Sequence, residues 1–464
     1  MSNTFDLIIL GGGPAGYVCA IRAAQLGLKT AVVERDKLGG VCVNVGCIPS
    51  KALLHSAYVA NLVRHDAKRL GVTVGEVSLD FAAAVKHSRQ VSDQNSKGVG
   101  FLMKKHGVTV IQGTGTLGKG RTVTVDGTAY TASKAVVLAT GTRVKGIPQI
   151  GLELDRQTVI STDEALFLQQ APASVAIVGA GAVGCEFADV FNAFGAKVTL
   201  IEMLPQILPL EDTEAADALA KSFKKRKVDM LVAAKVNKAD VRKDGVTLSV
   251  EVKGETKQVE AEKVLMAAGR ALNLENLGLE ATGVQRDERG FLQVSGNLET
   301  TAPDVYAIGD IAGPPMLAHK GSREGVFVAE VIAGRKPHPI RYDNIPSVTY
   351  CHPEVASIGL TEARCQEQGL DYVVGRFPLS ANGRARATLE TDGFVKIIRD
   401  KRYGEILGAH IVASHASELI HELVVARENE YTVEEVDLAV HAHPTLSEAV
   451  AEAALDSLGR VIHI

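Results

Sequence analysis

Two stretches of the chain share one hydrophobic rhythm. Leu7-Ile-Ile-Leu10 is continuously apolar and ends on Gly11-Gly-Gly13-Pro-Ala-Gly16. Small and apolar residues then run to Gly27, and a second apolar run, Ala31-Val-Val33, ends on Glu34. The same order returns at Val175-Ala-Ile-Val178, Gly179-Ala-Gly181-Ala-Val-Gly184 and Val198-Thr-Leu-Ile201, ending on Glu202. Short apolar runs bounded by glycine predict buried strands, and the stretches between them helices. Each copy therefore reads strand, glycine turn, helix, strand, acidic residue, with the acid 23 positions after the first glycine. That spacing in that setting is the fingerprint of a dinucleotide-binding fold.

The chemistry explains the spacing. Gly11 and Gly179 allow a tight turn, Gly13 and Gly181 admit a pyrophosphate, and Gly16 and Gly184 let helix pack on strand. Glu34 and Glu202 are placed to accept from an adenosine ribose. After Glu202, Met203-Leu-Pro-Gln-Ile-Leu-Pro-Leu210 offers no Arg or Lys to a 2′-phosphate, so this site is expected to take NAD rather than NADP. Two such folds imply two nucleotides, a resident flavin and an exchangeable nicotinamide, with a hydride passing between them.

Further runs mark the domains. Val136-Val-Leu-Ala-Thr-Gly141 closes a first domain over 1–148, and Val264-Leu-Met-Ala-Ala-Gly269-Arg270 closes a second over 149–272. Residues 273–345 are expected to return to the first, bringing Val305-Tyr-Ala-Ile-Gly309-Asp310, a strand ending on a carboxylate suited to ribitol or the phosphate bridge. Helical patterns at 51–70 and 81–106 interrupt the first domain. Beyond 346 the texture changes. Alternation in Gly393-Phe-Val-Lys-Ile-Ile-Arg and Glu405-Ile-Leu-Gly-Ala-His-Ile-Val predicts antiparallel strands, and helices follow over 417–428 and 446–458. This last domain, 346–464, has no nucleotide site and is expected to bury an apolar face against a second copy. The fold class is α/β: two Rossmann-like dinucleotide-binding domains plus a C-terminal α+β dimerisation domain.

Composition narrows the function classes. The 464 residues are 46% hydrophobic and 22% charged, with room for several cores. A net charge of −4 without a dense basic tract argues against nucleic-acid binding. Lys221-Ser-Phe-Lys-Lys-Arg-Lys227 reads as the solvated end of a helix. The uncharged stretch 165–185 contains Gln169, Gln170, Pro172 and glycines, and is not read as a membrane span. The start of the chain reads as a strand rather than a leader. Its six cysteines make no secreted framework, so the cytoplasm is the expected compartment.

Two of those cysteines stand out. Gly39-Gly-Val-Cys42-Val-Asn-Val-Gly-Cys47-Ile-Pro-Ser-Lys51 follows closely on the first fingerprint. Four intervening residues are not a zinc-knuckle spacing and no second pair has ligand spacing, so no metal is expected. Cys19 and Cys185 read as core fillers on helices, while Cys351 and Cys365 are scattered. Five helical residues advance about 7.5 Å, whereas disulfide Cα atoms lie under about 7 Å apart. Bridging therefore needs a distorted turn, for which Gly39, Gly40 and Gly46 give latitude. A helix start at this turn would also stabilise thiolates. A redox-active disulfide against a flavin and two buried free thiols are the alternatives.

Three segments carry a resemblance to a family. Gly40-Val-Cys42 through Lys51, Met316-Leu-Ala-His-Lys320, and His441-Ala-His443-Pro-Thr-Leu-Ser-Glu448 are similar to segments of the flavin disulfide oxidoreductases. The likeness covers essentially the whole chain. It is greatest to the branch that reoxidises lipoamide, using FAD and NAD, in 2-oxo-acid dehydrogenase and glycine-cleavage systems. The arginines of glutathione reductases and the extra C-terminal cysteines of mercuric reductases are missing.

The resemblance implies that Cys42 is the interchange thiol and Cys47 the thiol against the flavin. It implies a Lys51–Glu186 ion pair near flavin N5, Asp310 as a flavin-binding carboxylate, and backbone contacts from Ala318 and His319. Gly141 falls on the FAD side and Gly269 on the NAD side. His443 and Glu448 resemble the acid/base histidine and its orienting carboxylate, acting across a homodimer. Thr445-Leu-Ser-Glu448 also has the form of a capping box behind Pro444, and His441 reads as a structural hydrogen-bonder. The implied partners are lipoyl domains and the acyltransferase core of 2-oxo-acid dehydrogenase complexes, or the lipoyl carrier protein of glycine cleavage. No nucleic acid or membrane partner is expected. Val41 and Ala271-Leu-Asn depart mildly from the family pattern. An NADH-dependent reductase of another disulfide would keep the same cysteines and nucleotide sites, and is the alternative function.

Overall fold

The first apolar run forms β1 (Thr4–Leu10), whose Leu7, Ile8 and Ile9 are fully buried. The computed structural model describes residues 3–464 and divides into two units. The first unit comprises residues through 52, 85–145 and 269–340. Here β1 leads through α1 (Pro14–Gln25) to β2 (Thr30–Glu34). The chain continues as α2 (Gly40–Val45), α3 (Cys47–Asn61), α4 (Phe81–Lys105) and β3 (Thr109–Gln112). Next come β4 (Gly115–Leu117), β5 (Thr122–Val125) and β6 (Thr128–Leu138).

Strands β3, β2, β1 and β6 lie side by side and parallel, β5 and β4 extend the sheet antiparallel, and Val305–Ala307 returns to pair parallel with β6. Near-continuous apolar strands suit such a sheet because helices cover both faces. Helix Ala318–Ile332 packs on α1 so closely that a Cβ at Gly325 would fall 2.5 Å from the Ala15 carbonyl.

The second unit comprises residues 53–84, 146–268 and 341–464. Its parallel sheet uses β7 (Val159–Ile160), β8 (Ser174–Val178), β9 (Lys197–Ile201), β10 (Asp229–Leu231) and β11 (Lys263–Met266). The order β10-β9-β8-β11-β7 repeats around β8 the arrangement around β1. Helices α5 (Ala182–Ala193) and α6 (Thr213–Lys225) follow β8 and β9. In both sheets the strand order switches sides at the strand that carries the glycine turn, so each has a ligand crevice at its carboxyl edge.

The C-terminal part is a five-stranded antiparallel sheet from Ser347–Thr349, Glu354–Gly359, Ile406–Ala413, Phe394–Asp400 and Tyr372–Pro378. Two short helices, Glu362–Glu367 and Gly383–Thr388, lie between its strands, and α7 (Ala416–Glu428), α8 (Val433–Leu438) and α9 (Glu448–Ser457) follow them. Ile397, Ile411, Ile420, Leu423 and Val450 join in one core. The protein is thus α/β, with two Rossmann-like parallel sheets and a distinct C-terminal α+β region.

The local expectations need three corrections. Helix α9 begins at Glu448 rather than 446, because only half of the capping box forms: Thr445 N–H donates to Glu448 Oε2 at 2.8 Å, but the Thr445 hydroxyl turns to Ala442 O at 2.7 Å. Helix α8, opened by a full Thr432–Glu435 capping box, is too short for the apolar pattern to reveal. The basic run 221–227 is not wholly solvated, since Arg226 pairs with buried Asp189 and donates to His352 O at 2.8 Å. Among the described residues no helix is long and apolar enough to cross a membrane.

Candidate active site

The two glycine turns are built alike. Gly11 has φ +110, and a Cβ there would lie 2.3 Å from the Ala139 carbonyl. Gly179 has φ +99, with the Ala267 carbonyl 2.6 Å from its would-be Cβ. Cβ atoms on Gly16 and Gly184 would each come 1.9 Å from the carbonyl of the first glycine, so only glycine lets these helices start so close to their strands. Gly13 and Gly181 differ. The nearest atom to a Cβ is 3.9 Å away at Gly13, and none lies within 4 Å at Gly181, leaving room for a phosphate over the helix N-terminus.

The two acids are fixed by backbone N–H groups. Glu34 accepts from Gly12 at 2.7 Å and Asp36 at 2.8 Å, and Glu202 from Ala180 at 2.8 Å and Leu204 at 3.0 Å. Each carboxylate is therefore fixed in place by two backbone donors at the edge of its crevice.

Beside the first turn lies a cavity of about 380 Å³ lined by Gly11, Glu34, Arg35, Thr140, Arg143 and Glu275 among others. Its position at the carboxyl ends of β1 and β2, its size and its ribose-seeking carboxylate fit the adenosine half of FAD. Arg143 bonds Glu275 at 2.7 Å and Asn273 Oδ1 at 2.9 Å, and this guanidinium holds Glu275 down to about 2. Gly141 and Gly269, at φ +64 and +118, turn the chain after the closing strands of the two folds.

Asp310 accepts from the Thr142 hydroxyl at 2.5 Å, and Thr142 in turn accepts from Arg270 Nε at 2.6 Å. The turn before Asp310 rests on groups that the sequence reading passed over. Gly309 donates to Glu324 at 2.7 Å and accepts from Lys320 at 2.9 Å, and these two side chains pair at 3.2 Å with 1% exposure each. Their signal was the i, i+4 spacing on the helix that Ala318 opens, with His319 exposed on its first turn. Lys320→Met would strand a buried carboxylate. A loss of about 3–5 kcal/mol is expected, seen as a lower temperature of flavin release, with Glu324→Gln less severe.

The cysteines do not share one distorted turn. Cys42 lies inside α2, Cys47 opens α3, and the break is Gly46 alone (φ −144, ψ −118). A Cβ at Gly46 would sit 2.9 Å from Val41 O, so glycine is required. Gly40, at φ +57, brings its would-be Cβ 2.7 Å from Gly13 Cα, which seats the redox turn against the first phosphate loop.

The two thiols are hydrogen-bonded to each other. The expectation of a stabilised thiolate fails for Cys42. Its neighbour Cys47, then burial, push its thiol well above the ordinary range, against the pull of Lys51. The cause is the reduced pair itself: once one sulfur is ionised, the other keeps its proton. Tyr17, on α1, also neighbours Cys42; burial and that cysteine raise its phenol. Cys19 and Cys185 are fully buried, and burial raises the Cys19 thiol to about 12.

In the second unit, His443 Nδ1 bonds Glu448 Oε1 at 2.8 Å while the imidazole stays 80% exposed. Burial pushes the Glu448 carboxyl up, but bonds from Thr445 N–H and His443 hold it below its usual value. The carboxylate thus fixes one ring nitrogen and leaves Nε2 to exchange protons. His441 is closed on both sides, by Glu422 at 2.7 Å and Ala439 O at 2.7 Å. Glu186, 4% exposed on α5, accepts from Tyr350 N–H at 3.1 Å. Lys51 stands one turn along α3 from Cys47. Among the described residues no cluster could hold a metal ion.

A dithiol set against one of two dinucleotide folds defines a flavoprotein that moves electrons between a disulfide and a nicotinamide. Comparison with known proteins agrees. The model of the pyridine nucleotide-disulphide oxidoreductases matches residues 5–325, and that of their dimerisation domain matches 345–454. The chain is 44% identical to the dihydrolipoyl dehydrogenase of Rhizobium etli and 42% identical to that of Bacillus subtilis, over 100% of each chain. Among solved structures, LpdA from Mycobacterium tuberculosis matches with TM-score 0.89 and 29% identity, covering 97% of this chain and 98% of that one. The HOCl-induced flavoprotein disulfide reductase RclA from Escherichia coli matches with TM-score 0.85 and 26% identity, covering 96% and 98%.

The chain belongs to the pyridine nucleotide-disulphide oxidoreductase family, in its dihydrolipoyl dehydrogenase branch. It is an FAD- and NAD-dependent oxidoreductase with a dimerisation domain.

Proposed function

We propose that Cys42 and Cys47 oxidise protein-bound dihydrolipoamide to lipoamide, with His443 as the acid/base. The observation that carries this reading is the pair of thiols on two consecutive helices, α2 and α3, the first of which starts at Gly40 against the glycine turn of the first dinucleotide fold. In the oxidised enzyme the two sulfurs form a disulfide. His443 Nε2 takes a proton from one substrate thiol, and the resulting thiolate attacks Cys42 Sγ, releasing Cys47 as a thiolate. The second substrate thiol then gives its proton to solvent as its sulfur displaces Cys42. Cys42 leaves with the proton held by His443, lipoamide closes, and two electrons remain on the enzyme as the Cys42 thiol and the Cys47 thiolate. Glu448 orients the imidazole and offsets its charge while it holds the proton. Bound FAD supplies the two-electron carrier between the dithiol and NAD⁺, whose reduction to NADH restores the disulfide.

Gly11, Gly13, Gly16, Glu34, Gly141, Asp310, Ala318 and His319 would hold FAD, and Gly179, Gly181, Gly184, Glu202 and Gly269 would hold NAD. Lys51 and Glu186 would form the ion pair beside flavin N5. The domains would run 1–148 and 273–345 for FAD, 149–272 for NAD and 346–464 for dimerisation. His443 belongs to a homodimer's shared site in this proposal: exposed Tyr431, Leu438 and Val440 lie in the same segment and offer an apolar face to a second copy. The partners would be lipoyl domains and the acyltransferase core of 2-oxo-acid dehydrogenase complexes, or the lipoyl carrier of glycine cleavage, in the cytoplasm. An NADH-dependent reductase of another disulfide would run the same machinery backwards. Full-length identity of 44%, against 26% for RclA, favours the lipoamide reaction, and steady-state comparison of substrates tests it.

Nucleotide choice follows from Glu202. Its carboxylate, locked by two backbone donors, meets a ribose hydroxyl but repels a phosphate. kcat/KM with NAD⁺ should exceed that with NADP⁺ by roughly 10²-fold or more, since a misplaced charge costs about 3 kcal/mol. Equal efficiencies would sink this assignment.

A further inference from the structure

Helix α4 presents Arg89, Ser92, Asp93 and Ser96 at the three- and four-residue spacing of a single face. The mechanism above uses none of them, yet all four engage the segment that carries the cysteines. Arg89 Nη1 donates to Asn44 O at 2.5 Å and Nη2 to Ser92 Oγ at 3.0 Å. Ser92, fully buried, donates to Val43 O at 2.8 Å, with Asn44 O at 3.3 Å. Ser96 donates to Leu38 O at 2.8 Å, and Asp93 pairs with Lys37 at 3.6 Å. Asn44 ties the turn together from within, donating to Leu38 O at 3.0 Å and Gly40 O at 2.9 Å.

The carbonyls held by Arg89 and Ser92 lie between the two cysteines, in the last turn of α2. Carbonyls at a helix C-terminus carry partial negative charge and lack intrahelical donors. Left bare, they would oppose a thiolate at either sulfur, because a nearby negative charge disfavours ionisation. A guanidinium bonded to the Asn44 carbonyl supplies a donor and offsets that charge, beside two other titratable groups that face Cys42, Lys51 on α3 and Tyr17 on α1. The bond to Ser92 fixes its planar fork in place.

We propose that Arg89, with Ser92, is a positioning residue for the redox pair: Arg89 holds the Asn44 carbonyl and Ser92 the Val43 carbonyl, and the guanidinium adds positive charge that helps the reduced pair carry a thiolate at neutral pH. This inference rests on the flavin–disulfide reading above and deepens it. Removing the charge raises the pH at which the thiolate forms, whereas removing a bond that only fastens the segment does not.

The test uses flavin-loaded enzyme, reduced anaerobically to the dithiol level without NAD⁺, with the long-wavelength thiolate–flavin absorbance followed against pH. Arg89→Met should raise the midpoint by about one pH unit, ~tenfold less thiolate at a given pH. Arg89→Lys, which keeps the charge, should restore most of the shift. Ser92→Ala, the milder change if Arg89→Met fails to hold flavin, should move the midpoint in the same direction by a smaller amount. Ser96→Ala, which frees only Leu38, should leave it in place. An unmoved midpoint in Ser92→Ala or Arg89→Met, no rescue by lysine, or an equal shift in Ser96→Ala would each overturn the role of Arg89. A wild-type enzyme with no such absorbance would instead reject the flavin–disulfide reading itself.

Discussion

Replacing His443 with alanine is expected to lower turnover ~10²–10⁴-fold, the usual worth of a positioned acid/base, while flavin content stays that of the wild type. The imidazole is 80% exposed and touches its own chain through Glu448, so little of the fold depends on it. Glu448→Gln should cost less, because the amide can still bond the ring but cannot offset its charge. The same variant tests whether the site is shared. Chains carrying Cys47→Ser and chains carrying His443→Ala, each inactive alone, are dissociated and reassociated together. In a heterodimer with shared sites, one site bears both defects and the other bears neither. Activity approaching half that of the wild-type dimer should then return. Verified heterodimers without activity would place His443 in the service of its own chain.

Cys42→Ser and Cys47→Ser should both abolish dithiol turnover, yet differ in colour. Neither serine can form the disulfide, so the substrate half-reaction stops at the same step. Cys42→Ser keeps the sulfur that opens α3, the one assigned above to the flavin, so the long-wavelength absorbance should persist. Cys47→Ser removes the donor, and the absorbance should vanish. Identical spectra would refute the division of roles between the two sulfurs.

The nucleotide folds are legible in the sequence because their determinants are local: glycine turn, helix and terminal acid fall within one short segment, twice. The His443–Glu448 bond is legible for the same reason, since both groups flank one helix start. The same carboxylate bonds Thr445 N–H through its second oxygen, so one residue serves both the helix start and the imidazole.

Buried charges are another matter. Lys396 sits in an apolar strand with 1% exposure, bonded to Asp212 at 2.9 Å and Glu362 at 2.8 Å, and these partners are 184 and 34 residues away. Arg226 looks like part of a solvated run until the fold brings Asp189 and His352 to it. Arg89 and Ser92 are equally silent, because the carbonyls they satisfy are backbone atoms that leave no mark in the sequence. Hydrophobic periodicity reports which face is covered, not which distant group will meet a charge there.

The most direct test of the account is spectroscopic. Yellow purified enzyme is mixed anaerobically with dihydrolipoamide in the absence of NAD⁺, and NAD⁺ is added afterwards. If electrons pass from substrate through Cys42 and Cys47 to the flavin and on to the nicotinamide, a long-wavelength thiolate–flavin absorbance appears in the first step. It is then discharged in the second, as NADH forms. A flavin left unchanged by dihydrolipoamide, or an absorbance that NAD⁺ fails to discharge, would contradict it.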